Sequence, residues 1–439
     1  MSHAFPSSIA SSIDKAVKGS FDEYLVAQNS GLPRLAILAA TSKHDQIVNF
    51  VAGFEQYPQD QSTPGLADLS TTTPLTENSL FPLWSATKLC TVIATLQLVE
   101  QGRIALKDEA SKYVKELKDM KVLKGFSDDD EPIYEDAEKG CTIEELLLHT
   151  AGFSFSYNPL VSKMEKKTGE PWVYAEKATR ESLTKVPYVF QPGTGFAYGS
   201  STDWLALAVA EASGQSFDVY LKENLFDPLE ITDMTFDNPT NRVDMATIPP
   251  LPADSKPDTA HPPYTFSNMN FPTSIAFGGA GLTGAPKSYL KILRMLLRGG
   301  ACPSSSERNA RRILKPDTVD MMFEPRFTID DKESPIVKTF LPFVTERMDP
   351  WSHRSGKQFD GCGYAYGGLT CGEGFPSGRS RGSLAWSGAA NAFWVVDRSK
   401  DVAFCVWTSL IPHSHEALME VWAEAETLLY KGLEEMQER

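Results

Sequence analysis

The sequence predicts an α/β protein: a sheet domain assembled from both chain ends, with a mainly helical domain inserted between them. Three observations predict it. Short β-rich apolar runs cluster near the two termini, helical periodicity fills the middle, and the composition supports a large core. The chain has 439 residues, of which 41% are hydrophobic and 23% charged, close to the globular average. At ~100–200 residues per domain, two or three compact units are expected. The expected boundaries are residues 1–83 with 277–439 for the sheet domain and 84–276 for the helical domain, with a cleft between them.

Each element has its own signal. Residues 11–28 place Ile13, Val17, Phe21 and Leu25 on one helical face. Residues 35–41 and 47–54 are apolar runs split by Ser42-Lys43-His44-Asp45, a hairpin pattern. Residues 57–77 are polar and rich in Pro, Gly and Thr, and read as a long loop. A helix over 85–101 carries Leu89, Ile93, Leu96 and Val99 and stops at Gly102. Thr142 caps a short helix over 143–149, with Glu145 placed to complete a capping box. Helices follow over 204–213, ending at Gly214, and over 217–225. Residues 238–272 are Pro-rich and irregular, helices return over 286–298 and 316–323, and residues 350–382 form a Gly-rich loop. Strands over 383–386 and 392–397 flank a turn of small residues. An apolar strand over 402–408 and an amphipathic helix over 415–438 close the chain.

Charge and cysteine usage exclude several function classes. A formal net charge of −15 repels a phosphate backbone, so nucleic acid is not an expected partner. Asp128-Asp129-Asp130-Glu131 reads as a solvated loop. The six cysteines (Cys90, Cys141, Cys302, Cys362, Cys371 and Cys405) have no paired metal-ligand spacing and are too sparse for a disulfide scaffold. Reduced thiols in a cytoplasmic protein are expected. Residues 1–20 lack the apolar core of a signal peptide, and no run of ~18 apolar residues predicts a membrane span.

Three segments carry the chemistry. Ser85-Ala86-Thr87-Lys88 is an S-x-x-K opening a helix. Positions three apart share a face, so the Lys88 amine can reach the Ser85 hydroxyl. The helix N-terminus favours negative charge on that oxygen and, with desolvation, disfavours an ammonium nearby. A neutral Lys is a base that activates a Ser in such an arrangement. The same pattern at Ser12, Ser182 and Ser288 is read as capping or solvated surface. Ser85 differs because the apolar run 80–84 precedes it and the most apolar helix follows. In Tyr198-Gly199-Ser200, a Pro-Gly turn delivers a phenol that can relay a proton; a core Tyr with a capping Ser is the plainer alternative. In Trp386-Ser387-Gly388-Ala389, small residues let a ligand approach the backbone. There the amides of Ala389 and Ser85 can form an oxyanion hole; a simple hairpin turn is the alternative.

The order S-x-x-K, Y-x-S, then a small-residue triad resembles the serine β-lactamase and penicillin-binding superfamily. Leu146-Leu147-Leu148-His149-Thr150-Ala151-Gly152 is similar to its LL-x-HTSG run. Residues 225–234 are similar to its F-x-PLGM-x-D segment, and Gly278-Gly279-Ala280-Gly281-Leu282 to its GG-x-GL turn. Within the superfamily, residues 85–89, 122–126, 231–236 and 381–384 are most similar to the fungal lovastatin acyltransferase branch of polyketide biosynthesis. The resemblance implies a serine β-lactamase-like fold and catalytic roles for Ser85, Lys88 and Tyr198. It also implies an acyl-enzyme, no cofactor and no metal. An ester or thioester would be the donor and an alcohol the acceptor, with an acyl carrier protein as a further partner. Trp386 stands where β-lactamases have a Lys that binds a substrate carboxylate, which argues against β-lactam or peptidoglycan chemistry. Ser200 replaces an Asn, and Ser387 and Ala389 replace glycines of the lovastatin enzyme, so its substrate does not carry over. Ser200, Trp386, Ser387 and Gly388, with the aromatic residues Phe153, Tyr157 and Trp172, are the candidate substrate-binding residues. The same aromatics fit a helical-domain core equally well.

Other readings compete. Gly378-Arg379-Ser380-Arg381-Gly382 is a formal G-x-S-x-G with Asp397 and His413 or His415 downstream. A nucleophile elbow needs a strand before it and a helix after it, and the sequence has neither there. His413-Ser414-His415 has metal-ligand chemistry but no third ligand at a suitable spacing. His149 reads as a core residue. A hydrolase with the same residues, or a catalytically silent binding protein on this fold, completes the alternatives.

Overall fold

The computed structural model describes residues 11, 34–53, 55, 73–169, 179–236, 244–247, 265–268, 275–302, 311–347, 360–373, 375–411, 413–414 and 416–437. The expected helix over 12–28, most of the loop at 57–77, Trp172, most of 238–272, the start of the 350–382 stretch and His415 lie outside the described residues.

In chain order, β1 (Arg34–Ala40), β2 (Val48–Gly53) and β3 (Phe81–Pro82) lead to a 3-10 turn (Trp84–Ala86) and α1 (Thr87–Glu100). Next come β4 (Lys121–Phe126), β5 (Pro132–Asp136), α2 (Ile143–Leu147), α3 (Pro159–Thr168), α4 (Arg180–Thr184), α5 (Ser201–Ser213) and α6 (Phe217–Leu221). Beyond β6 (Asp244–Thr247), β7 (Thr265–Asn268) and β8 (Thr283–Gly284) lie α7 (Pro286–Leu297), α8 (Pro316–Phe323), β9 (Phe327–Thr328) and α9 (Pro335–Arg347). The chain closes with β10 (Gly363–Ala365), β11 (Gly368–Thr370), β12 (Leu384–Trp386), β13 (Ala392–Asp397), β14 (Val402–Trp407), β15 (Leu410–Ile411) and α10 (Glu416–Gln437).

The main sheet has eight strands in the order β2-β1-β14-β13-β12-β11-β10-β9, antiparallel throughout. Strand β1 docks beside β14, with Leu38 opposite Cys405, so strands from early and late in the chain share one sheet. Side chains alternate across it. Ala392, Trp394 and Val396 of β13 join the large core with α1, α5 and α7, whereas Phe393 and Val395 pack with Trp422 and Leu429 of α10. Both faces are covered, so β13 and β14 are buried at every position. That is why they read as continuous apolar runs rather than alternating ones.

The capping box of α2 forms as expected: the Glu145 amide donates to Thr142 Oγ1, and the Thr142 amide donates to Glu145 Oε2. Three features differ from the sequence reading. The region between α1 and α2 contains the hairpin β4–β5, with the acidic run 128–131 as its solvated connection. The Gly-rich stretch contains β10 and β11, which lie between β12 and the edge strand β9. Its glycines are packing residues: a Cβ on Gly363 would sit 2.5 Å from Phe327 O, and one on Gly368 would sit 2.6 Å from Ala385 O. Finally, α9 has buried Val337, Phe340 and Val344 at helical spacing, but Pro342 inside it hides that period. Among the described residues no helix is long and apolar enough to cross a membrane, and all six cysteines are buried.

Candidate active site

Ser85 lies in the 3-10 turn that runs into α1. Trp84 before it has a φ of 46°, a left-handed conformation that costs energy for a large side chain and marks a turn held by its surroundings. The hold is visible. The Leu83 amide donates to Leu282 O at 2.9 Å, the Leu282 amide donates to Thr87 Oγ1 at 3.3 Å, and the Tyr289 hydroxyl donates to Ala86 O at 2.9 Å.

Lys88 is buried, 3% exposed, and its Nζ lies 3.2 Å from Ser85 Oγ and 2.6 Å from Gly279 O. The Gly279 carbonyl accepts one hydrogen of the amine and aims the nitrogen. Gly279 is itself fixed, because its amide donates to the buried Asp203 Oδ1 at 2.8 Å. The neighbouring Gly278 carbonyl accepts from Thr91 Oγ1 at 2.6 Å, and a Cβ on Gly278 would sit 2.3 Å from Thr202 O. The GG-x-GL segment is thus wedged between α1 and α5, and its glycines serve that close approach.

Tyr198 faces the same amine, with Lys88 Nζ 4.8 Å from its ring centroid. Its other ring neighbours are His149 at 4.8 Å, Phe343 at 5.3 Å, Trp386 at 5.3 Å and Phe155 at 5.7 Å. Trp386 also stacks on Phe343 at 6.2 Å and meets Tyr364 edge-on at 5.5 Å. The Tyr157 hydroxyl donates to the Tyr198 carbonyl. His149 is buried, and burial first, then the adjacent Lys88, hold its imidazole well below the usual histidine pKa. It therefore adds no positive charge beside Lys88.

The structure brings Ser85, Lys88, Tyr198, Trp386 and Tyr157 together. It corrects three of the expected substrate contacts. Phe153 is fully buried against Tyr188 at 4.7 Å and Trp204 at 5.7 Å, so it is a core residue. The Ser387 side chain lies on the opposite face of the sheet from Trp386, hydrogen-bonded to His413 Nε2 at 2.9 Å. The space beside Gly388 is occupied by the chain itself: a Cβ there would sit 2.1 Å from Leu83 O. Ser200 is fully buried next to α5, and Ala389 is half-buried in the turn after β12. Sequence reasoning missed Phe343, Tyr364 and the Gly279 carbonyl. The Phe-rich run of α9 was the available signal for Phe343; Gly279 was visible only as part of a motif.

The rival G-x-S-x-G constellation does not assemble. Asp397 accepts from the Ser380, Ser399 and Lys400 amides and from Tyr430. Arg379 is locked in a fully buried bidentate pair with Glu426, both contacts at 2.7 Å. Among the described residues no group of three or more His, Cys, Asp or Glu could hold a metal.

The antiparallel sheet, with the helix-opening Ser and Lys beside the turn between β12 and β13, has the serine β-lactamase-like fold. The family description Beta-lactamase matches residues 31–427, and the chain belongs to that family. Among curated relatives, a lovastatin esterase of Penicillium rubens is 32% identical over 326 residues, covering 73% of this chain and 77% of the relative. A monacolin J acid methylbutanoyltransferase of Aspergillus terreus is 28% identical over 375 residues, covering 81% and 83%. Among solved structures, Simvastatin Synthase (LovD) from Aspergillus terreus superposes with a TM-score of 0.76 at 24% identity, covering 94% of this chain and 97% of that one. EstCE1, described as a hydrolase with promiscuous acyltransferase activity, gives 0.65 at 15% identity, covering 96% and 99%.

Proposed function

We propose that this protein is a serine acyltransferase that works through an acyl-enzyme. The donor is an ester or thioester and the acceptor an alcohol of a polyketide-like secondary metabolite. The single observation that carries the reading is the buried Lys88 amine 3.2 Å from Ser85 Oγ. Ser85 Oγ attacks the donor carbonyl while Lys88 Nζ takes its proton. The oxyanion accepts from the amides of Ser85 and Ala389. Tyr198 passes a proton to the departing oxygen or sulfur, the carbonyl re-forms, and the acyl group remains on Ser85. An acceptor hydroxyl then gives its proton back through Tyr198 and attacks the acyl carbonyl, which releases the new ester and restores Ser85.

The aromatic wall of Phe155, Tyr157, Tyr198, Phe343 and Trp386 supports an apolar acyl group or acceptor. The cleft so lined lies between the sheet domain and the inserted helical domain. A thioester donor would be delivered as a small molecule or on an acyl carrier protein. Buried cysteines with no paired spacing in the sequence support a reducing, cytoplasmic setting. Hydrolysis is the second reading, favoured by the esterase among the relatives; water then replaces the alcohol at the same residues.

Intact-protein mass spectrometry after mixing with a short acyl thioester tests the proposal. Wild type should gain one acyl mass and Ser85→Ala none; an adduct on Ser85→Ala would overturn it. Faster loss of the adduct when an alcohol is added separates transfer from hydrolysis.

A further inference from the structure

The turn that carries Ala389 is held from behind by residues that the reaction does not use. It runs over 387–391 between β12 and β13, with Asn391 at a φ of 62°. On its front, Gly388 lies against the Leu83 carbonyl so closely that a Cβ would sit 2.1 Å from it. The turn therefore abuts the segment that leads into Ser85. On its back, the Ser387 hydroxyl shares a hydrogen bond of 2.9 Å with His413 Nε2, and His413 Nδ1 shares one of 2.9 Å with Ser414 Oγ. The imidazole rests on Phe393 at 5.0 Å, which packs on Trp422 of α10 at 4.3 Å. The far end of the turn is tied to the same connection. The Ser414 amide donates to Asn391 Oδ1 at 2.6 Å, and Asn391 Nδ2 donates to Leu410 O at 2.7 Å.

We infer that His413 is a positioning residue: through Ser387 it clamps the 387–391 turn and sets the Ala389 amide against Ser85. The inference rests on the acyl-enzyme reading above. Oxyanion donors act only within a narrow range of distance, and a misplacement of about 1 Å can cost on the order of 10²-fold in rate. Two anchors, one at each end of a five-residue turn and both reaching the 408–414 connection, restrict that displacement. The device also gives this chain a use for a Ser at 387, on the face away from the cleft.

The test uses the full chain and p-nitrophenyl acetate, with acylation followed as the burst of p-nitrophenol. Ser387→Ala and His413→Ala should each slow acylation about ten-fold and lower kcat while leaving KM within roughly two-fold. The double variant should be no slower than either single variant, because both remove one clamp. His413→Gln, whose amide can still bond Ser387, should recover part of the rate. Acylation at the wild-type rate in both single variants, with Ser85→Ala inactive, overturns the clamp and leaves the acyl-enzyme intact. Additive losses, or a rise in KM with kcat unchanged, also overturn it. A burst from Ser85→Ala overturns the acyl-enzyme reading and the clamp with it. If His413→Ala does not fold, Ser387→Ala, which deletes one hydroxyl, decides alone.

Discussion

At the scale of single residues, the site holds an amine against aromatic rings. Lys88 is the ionisable amine among the rings, and His149 is kept neutral beside it by burial and by that amine. This has a consequence for pH. The unfolded chain binds a proton on His149 near pH 6.5, while the folded chain does not until a much lower pH. The unfolded state therefore holds more protons below pH 6.5, and stability falls as pH drops from there, by at most about 1.4 kcal/mol per pH unit from this group. Thermal unfolding at pH 7 and pH 5.5 should show the loss, and His149→Asn should flatten it. An equal slope in His149→Asn would show that other groups carry the effect. Ser85, Lys88 and Tyr198 were legible in the sequence because their pairing depends on local spacing and recognisable motifs. Phe153 stayed open between cleft and core in the sequence because an aromatic in a strand-poor region looks the same in both.

At the scale of elements, α9 supplies what the motifs could not. Phe343 is half-buried, stacks on Trp386 and lies 5.3 Å from Tyr198. On the proposed reading it walls the approach to the Ser85–Lys88 pair from a part of the chain far from either. Removing it opens that wall. Phe343→Ala should raise KM for short p-nitrophenyl esters several-fold, with kcat changed less, and shift preference towards longer acyl chains. A chain-length profile that matches wild type would place Phe343 outside the acyl path. The helix is hard to see in the sequence because proline within a helix is ordinarily a breaker. Pro335 instead begins the helix, and Pro342 falls on an exposed position within it. Similarly, β10 and β11 were hidden by glycines that exist for sheet packing.

At the scale of the whole molecule, the sheet depends on contacts between distant parts of the chain. The Arg379–Glu426 pair links the loop before β12 to α10 with both side chains fully buried. Ser377 Oγ adds a third bond to the same carboxylate at 2.9 Å. Removing one partner leaves an uncompensated buried charge, which costs roughly 3–5 kcal/mol. Glu426→Ala should lower the urea midpoint accordingly. An unchanged midpoint would mean that water reaches Arg379 once the carboxylate is gone.

The sequence by itself determined the local facts: the Ser–Lys spacing, the capping box of α2, the apolar strands of the two chain ends and the family motifs. Each depends on residues within a turn or two of one another. Only the tertiary structure decided which face of the sheet Ser387 looks towards, that Gly388 is filled by the Leu83 carbonyl, and that Gly279 aims Lys88. It also decided that α9 completes the aromatic wall. Those contacts join residues separated by tens to hundreds of positions, so no local pattern encodes them. They follow from how a sheet built from both chain ends packs against the helices between them.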